Sequence, residues 1–348
     1  MQQIKTALLS FGMSGKVFHA PFIDLHPGFQ LIGAWERSTK NIQQIYPQAK
    51  SYASIEELLN DKEVELVIVN TPTYTHYDYA KQALQAGKHI IVEKAFTTTV
   101  KEAEELKALS IQQNKKIGVY QNRRWDSDFK TVKKIIKEGW LGKINEAEIH
   151  FDRFKPTLSP KQHKEVPGPG AGILKDLGAH IIDQALCLFG MPEAVFADIR
   201  ITRDQSQVDD DIDILLFYAA FRLRLKAGNL VREALPAFIM HGHKGSFVKS
   251  RADVQEADLV AGIKPNTTTW GTEPAEENGL LHTEKDGKVI RERITSLRGN
   301  YYDYYDAVYK ALTSESTMPV TVDDGINVMR IIEAAIKSSD NDWIVGVE

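Results

Sequence analysis

Ser10-Phe11-Gly12-Met13-Ser14-Gly15 closes the first apolar run of the chain, 4–11, and opens a segment of helical character. A strand that ends in glycines spaced this way and turns into a helix brings backbone N–H groups and the positive end of the helix to one point. Gly12 lets the backbone approach a pyrophosphate, Gly15 allows helix to pack closely on strand, and Met13 and Ser14 complete the loop. Serine stands in the first position of G-x-G-x-x-G, where a tight turn is usual. The neighbouring Gly15-Lys16 is not a P-loop, because only two residues separate the glycines and Val17 follows the lysine.

Working outward, further short apolar runs at 30–35, 66–70, 89–92 and 116–120 alternate with helical patterns such as 75–86 and 99–114. β-branched runs spaced by helices predict a doubly wound parallel sheet of Rossmann type. Gly87 is placed as the glycine that ends its helix. Glu36 ends the second run about 20 residues past Gly15, where an acid bonds the ribose hydroxyls and favours NAD, while the adjacent Arg37 can accept a 2′-phosphate and favours NADP. Thr71, Pro72 and His76 follow the third run. Val92-Glu93-Lys94-Ala95 ends the fourth, putting Glu93 and Lys94 at the carboxyl edge where open α/β sheets bind ligands. Asn122, Arg123 and Trp125 follow the fifth, where polar groups at a domain junction can bind cofactor or substrate.

Past residue 124 the pattern changes to longer alternating strands at 144–154, 194–202, 212–225 and 238–240, with a hairpin signal at Lys285-Asp286-Gly287-Lys288. The expectation is a Rossmann domain over 1–124 and an α+β domain on a mixed or antiparallel open sheet over 125–348. Residues 156–172, rich in Pro, Gly and Lys, read as a loop near a site. Helices are expected at 301–312 and 323–338. In Asp176-Leu177-Gly178-Ala179-His180-Ile181-Ile182-Asp183 an acid lies four residues before a histidine, on one helical face with Asp183 close to it. A histidine balanced by a carboxylate is a competent base near neutral pH.

Bulk properties narrow the remaining classes. With 348 residues, two domains are expected. A net charge of −4 gives no reason to expect nucleic acid or an anionic membrane as partner. No apolar run spans a bilayer, and the start through Gln2-Gln3 does not read as a signal peptide. The single Cys187 reads as an inert core residue. His241-x-His243 has no evident third ligand, so no metal site is expected, and there is no G-x-S-x-G elbow. The cytoplasm is the expected compartment.

On 12–19 (GMSGKVFH), 120–126 (YQNRRWD), 176–183 (DLGAHIID) and 325–328 (GINV), the chain resembles the Gfo/Idh/MocA oxidoreductases, and within them the scyllo-inositol 2-dehydrogenase-like branch. The resemblance implies a homodimer or homotetramer assembled through the open sheet of the second domain. It implies NAD or NADP as cofactor and a polyol or sugar as substrate, with Lys94, Asp176 and His180 catalytic. The family's Glu-Lys-Pro falls on Glu93-Lys94-Ala95, with alanine where the proline stands. A cofactor-binding sensor on the same fold would keep the cofactor loop but could lose Lys94, Asp176 or His180, and all three are present; an NAD-dependent glycosidase would release sugar without net reduction of cofactor.

Overall fold

The computed structural model describes residues 3–160 and 162–347. Gln2 of the N-terminal stretch and Lys161 of the 156–172 loop therefore lie outside the described residues. The chain divides into two units. The first runs to Asn122 and also takes Gln255–Trp270 and Asn300–Ile326. The second holds Arg123–Val254, Gly271–Gly299 and the chain from Asn327 onward. Two segments from the expected second domain, 125–348, thus belong to the first unit.

The first unit is a six-stranded parallel sheet of β1 (Ile4–Leu8), β2 (Phe29–Trp35), β3 (Lys50–Tyr52), β4 (Leu66–Val69), β5 (His89–Glu93) and β6 (Ile117–Tyr120). The order is β3-β2-β1-β4-β5-β6, so the winding reverses between β1 and β4. β4 and β6 are buried at every position, as strands covered on both faces must be. Helix His76–Gln85 packs on β4 and β5 and ends before Gly87, whose φ of 73° is the left-handed conformation expected there. Helix Val100–Gln112 starts with a full capping box between Thr99 and Glu102. β3 was not anticipated, because three residues carry no periodicity.

The second unit is a nine-stranded mixed sheet. Its strands are β7 (Ile144–His150), β8 (Ala194–Arg200), β9 (Asp211–Phe217), β10 (Arg222–Gly228), β11 (Phe238–Gly242), β12 (Gly245–Lys249), β13 (Gly279–Lys285), β14 (Lys288–Ile294) and β15 (Val345–Gly346). The order is β14-β13-β12-β11-β7-β10-β9-β8-β15, with β7 and β10 parallel and the other pairs antiparallel. Ile212, Ile214 and Leu216 alternate into the core along β9. Helix Ala179–Phe189 packs on β7 and β10.

Two expectations are corrected here. The run 212–225 is not one strand but the hairpin β9–β10, closed by a bond from the Tyr218 N–H to the Phe221 carbonyl at 3.1 Å. Its turn, Tyr218-Ala219-Ala220-Phe221, contains no Gly, Pro, Asn or Asp to mark it. Cys187 is half-buried rather than sealed in the core, with the Lys133 ammonium 3.3 Å from its sulfur. The hairpin at 285–288 forms as expected, with Asp286 at φ 52° and Gly287 at φ 72° joining β13 to β14. The 156–172 loop contains a short helix, Gln162–Glu165, and is tied down by Arg203. That guanidinium lies 2.8 Å from both Glu165 and Asp210.

Candidate active site

In the first unit the switch point of the sheet is occupied by the glycine loop. The Asn70 side-chain amide, at the end of β4, donates to the Ser10 carbonyl at 2.8 Å and ties the two strand ends across the reversal. The Ser10 hydroxyl accepts from the Gly12 N–H at 3.2 Å, so the serine supplies with its side chain part of the turn that a glycine would make with its backbone. A Cβ on Gly15 would sit 2.4 Å from the Ser10 carbonyl oxygen, which is why only glycine fits. A Cβ on Gly12 would meet only the Ser10 hydroxyl, at 3.5 Å. Gly12 is therefore dispensable for packing and leaves space against the loop. The segment that follows, Gly15–His19, is a π-helical turn leading into helix Ala20–Leu25.

Glu93 joins this loop to the end of β5. Its carboxylate accepts from the Ser14 hydroxyl at 2.5 Å and faces His19 Nε2 at 3.1 Å. His19 is fully buried, and its Nδ1 lies 2.5 Å from the Tyr305 hydroxyl. Burial raises the Glu93 pKa, but the bonds from His19 and Ser14 and the Lys94 charge outweigh it and leave it below the usual carboxylate value. Lys94 follows, half-buried, and the Lys94–Ala95 peptide bond is cis at the position where the resembled motif has proline. His19 and Tyr305 were not singled out from the sequence. The contacts that reveal them span 74 and 286 residues, which no local pattern encodes.

Glu36 has a structural occupation. Its carboxylate accepts from the Thr39 hydroxyl at 2.9 Å and from the N–H groups of Asn41 and Ile42 at 3.1 and 3.0 Å. It anchors the loop after β2, whose Arg37, Ser38 and Lys40 are exposed. His76 is buried between the Phe96 carbonyl at 3.0 Å and the Thr71 carbonyl at 2.8 Å, and burial lowers its pKa. A neutral ring donates to one of the two, so His76 braces the strand-end loop. The Thr71 hydroxyl pairs with that of Thr75 at 2.7 Å, and Pro72 and Met13 are exposed.

The second unit brings together the other candidates. Leu174–Gly178 is again a π-helical turn, continued by helix Ala179–Phe189. Asp176 lies in that turn, partly exposed, with the Lys164 ammonium 2.8 Å from its carboxylate. His180 is buried at 6% exposure. Asp183, one turn on, accepts both arms of the Arg124 guanidinium at 2.8 and 2.7 Å. Asn122–Trp125 forms a 3₁₀ turn, and Arg123 faces Asp126 at 3.3 Å. Gly172, at φ 90°, lets the chain pass the Asp209 carboxylate, which accepts the Leu174 N–H at 2.7 Å. Among the described residues, no group of three or more His, Cys, Asp or Glu side chains could hold a metal ion. None of their helices is long and apolar enough to cross a membrane.

Residues 4–121 match the NAD-binding Rossmann fold of the Gfo/Idh/MocA oxidoreductases, and residues 133–347 match their C-terminal alpha/beta domain. The chain belongs to this family. It is 39% identical to the scyllo-inositol 2-dehydrogenase (NADP(+)) IolW of Bacillus subtilis over 97% of this chain and 94% of that one. It is 36% identical to the uncharacterized oxidoreductase YdgJ of Escherichia coli over 97% and 96%. A crystal structure from Bacteroides fragilis superposes with a TM-score of 0.91 at 45% identity, covering 99% of this chain and all of the other. The chain is thus an enzyme of the NAD-binding oxidoreductases, with the Rossmann sheet and mixed second sheet of that family.

Proposed function

We propose that the protein is an NAD(P)-dependent dehydrogenase acting on a secondary alcohol of a polyol or sugar, with Lys94, Asp176 and His180 as its catalytic residues. The observation that carries the reading is the likeness to an NADP-dependent scyllo-inositol dehydrogenase over nearly the whole chain. The uncrowded face of Gly12 suits a dinucleotide pyrophosphate, held by Gly12, Met13, Ser14 and Gly15. When bound, the nicotinamide supplies the hydride acceptor. His180 takes the hydroxyl proton on a ring nitrogen, and Asp176 orients the ring. Lys94 donates to the substrate oxygen and stabilises its developing negative charge. Asn122, Arg123 and Trp125 contribute to cofactor placement, as do Thr71, Pro72 and His76 through the loop that His76 braces.

The cofactor preference we propose is NADP at least as much as NAD. Glu36 is engaged by its own loop, while Arg37, Ser38 and Lys40 are free to meet a 2′-phosphate. We further propose that 1–124 serves the cofactor and 125–348 the substrate, in a cytoplasmic homodimer or homotetramer. The test is a spectrophotometric screen of inositols, neutral sugars and sugar acids with NAD and NADP at saturation. Reduction of cofactor by at least one ring polyol is expected, with little from 2-butanol, which would leave the polar groups of the site unpaired. Clear preference for 2-butanol would overturn the reading.

A further inference from the structure

Apart from the residues assigned to proton transfer, the second unit gathers three guanidinium groups on one aromatic ring. Phe151 follows β7 and is 6% exposed. The guanidinium carbon of Arg251 lies 4.2 Å from its ring centroid, that of Arg153 4.9 Å and that of Arg123 5.4 Å. The three arrive from separate stretches of chain, so no helix or strand periodicity forces them together. Three like charges repel, and the face of one ring offsets only part of that repulsion.

Asp128 and Asp126 offset part of the Arg251 charge. Asp128 accepts the N–H groups of Phe129 and Ala252 at 2.6 and 3.0 Å, and Asp253 accepts that of Ser127 at 2.8 Å. Asp126 faces Arg123, but burial first and then Asp253 push its carboxyl well above the usual range, toward the neutral form. Arg251 reaches the His150 carbonyl at 3.1 Å and the Gln184 side chain at 3.4 Å through Nη2. Its Nε and Nη1 are buried with no hydrogen-bond partner. A guanidinium presents five N–H donors in a fixed fork, and leaving buried ones unmet is costly unless an acceptor arrives. Carboxylate and phosphate are the acceptors whose geometry matches that fork.

Gln184 connects this cluster to the proposed base. Its side-chain amide donates to the Arg123 carbonyl at 3.2 Å, and it stands four residues after His180 on the same helix, about 6 Å along the axis. We propose that Arg251, together with Arg153, binds an oxyanion carried by the substrate, so that the preferred substrate is a polyol or sugar bearing a carboxylate or phosphate. This rests on the dehydrogenase reading above for its substrate class, while the anion site stands on the second unit alone.

The test is calorimetric titration of the protein with a panel of hexuronates, hexose phosphates and the neutral parent hexoses, repeated on Arg251→Met and Arg153→Met. At least one anionic sugar is expected to bind about tenfold or more tighter than its neutral parent, with both variants losing most of that advantage. Arg153 is half-buried, so Arg153→Met keeps the test valid if Arg251→Met melts early. Whether hexuronate or hexose phosphate carries the advantage identifies the group recognised. Equal binding of charged and neutral sugars, binding of none, or an advantage that survives both variants overturns the proposal. Cofactor reduction by neutral polyols with no preference for charged ones breaks this inference and leaves the dehydrogenase. Arginine-dependent binding with no cofactor reduction keeps the anion site and breaks the dehydrogenase.

Discussion

The two units satisfy their buried polar groups by different means. In the first, apart from the Glu93–His19–Tyr305 network, several side chains lean on backbone. His76 lies between two carbonyls, Asn70 bonds that of Ser10, Tyr120 that of Phe18, and Lys88 those of Asp61 and Val64. In the second, several charges pair with each other: Arg124 with Asp183, Arg203 with Asp210 and Glu165, Lys249 with Glu273. A parallel sheet with loops at its strand ends presents free carbonyls for the first solution. The mixed sheet, whose strands come from distant parts of the chain, uses the second. The difference matters for mutation, because a lost neutral bond costs about 1 kcal/mol whereas an orphaned buried charge costs about 3–5 kcal/mol.

The largest expected effect therefore lies in the second unit. Asp183→Ala leaves the half-buried Arg124 without its bidentate partner and should destabilise by about 3 kcal/mol, against about 1 kcal/mol for Asn70→Ala. Urea unfolding of the two variants measures both. Equal losses would end the contrast between the units.

Next come the proposed catalytic groups, one from each unit. Lys94→Ala and His180→Ala should each lower kcat on the order of a hundredfold, about 2.7 kcal/mol, with melting temperature and cofactor affinity near wild type. Near-full activity in either variant removes that residue's role. Two glycines then separate packing from binding within one loop. Gly15→Ala must push its Cβ off the Ser10 carbonyl and should cost about 1–3 kcal/mol of stability. Gly12→Ala should leave stability within about 0.5 kcal/mol and weaken cofactor binding. If Gly12→Ala binds cofactor as well as wild type does, the loop is not the pyrophosphate site. Smaller again is cofactor choice. Arg37→Ser should lower the NADP/NAD ratio of kcat/KM by about tenfold, roughly 1.4 kcal/mol. Glu36→Ser should instead loosen the loop it anchors, and a ratio that answers only to Glu36 would show that the carboxylate reaches the ribose after all.

How much of this was legible in the sequence follows the same division. The first unit was readable because its signals are local: Gly12 and Gly15 three apart, short β-branched runs, Gly87 after a helix, Glu93-Lys94 at a strand end. What escaped was what those residues touch. Glu36 stands where a ribose-binding acid stands in sequence, yet the hydroxyl and N–H groups of the next six residues claim it. In the second unit the hairpin at 285–288 announced itself through Asp-Gly, whereas the β9–β10 turn, built of Tyr, Ala and Phe, did not. Asp176 and His180 were visible by their spacing. Their surroundings, with Lys164 on Asp176 and the arginines around Phe151, arise from pairings that only the folded sheet creates.

The last contrast is in how stability varies with pH, and here the two units should pull in opposite directions. His89 of the first unit accepts the Lys116 N–H on Nδ1 at 3.0 Å, and burial, then Lys115 and Lys116, lowers its pKa to about 4. Its fold-stabilising form is neutral, so its contribution is complete above about 6.5 and is lost as pH falls toward 4. Burial opposes protonation of His150 in the second unit, but the bonds its ring donates to Asp152 and Glu148 prevail and raise its pKa above the ordinary value. Its fold-stabilising form is charged, so its contribution is complete below about 6.5 and is lost as pH rises through the raised value. Differences in melting temperature between wild type and each glutamine variant, followed from pH 4 to 9, isolate the two terms. The wild-type advantage over His89→Gln should shrink on the acid side, and that over His150→Gln on the alkaline side. Parallel curves for both variants would mean that charge pairing in the second unit and backbone pairing in the first do not set the preferred protonation states of their histidines.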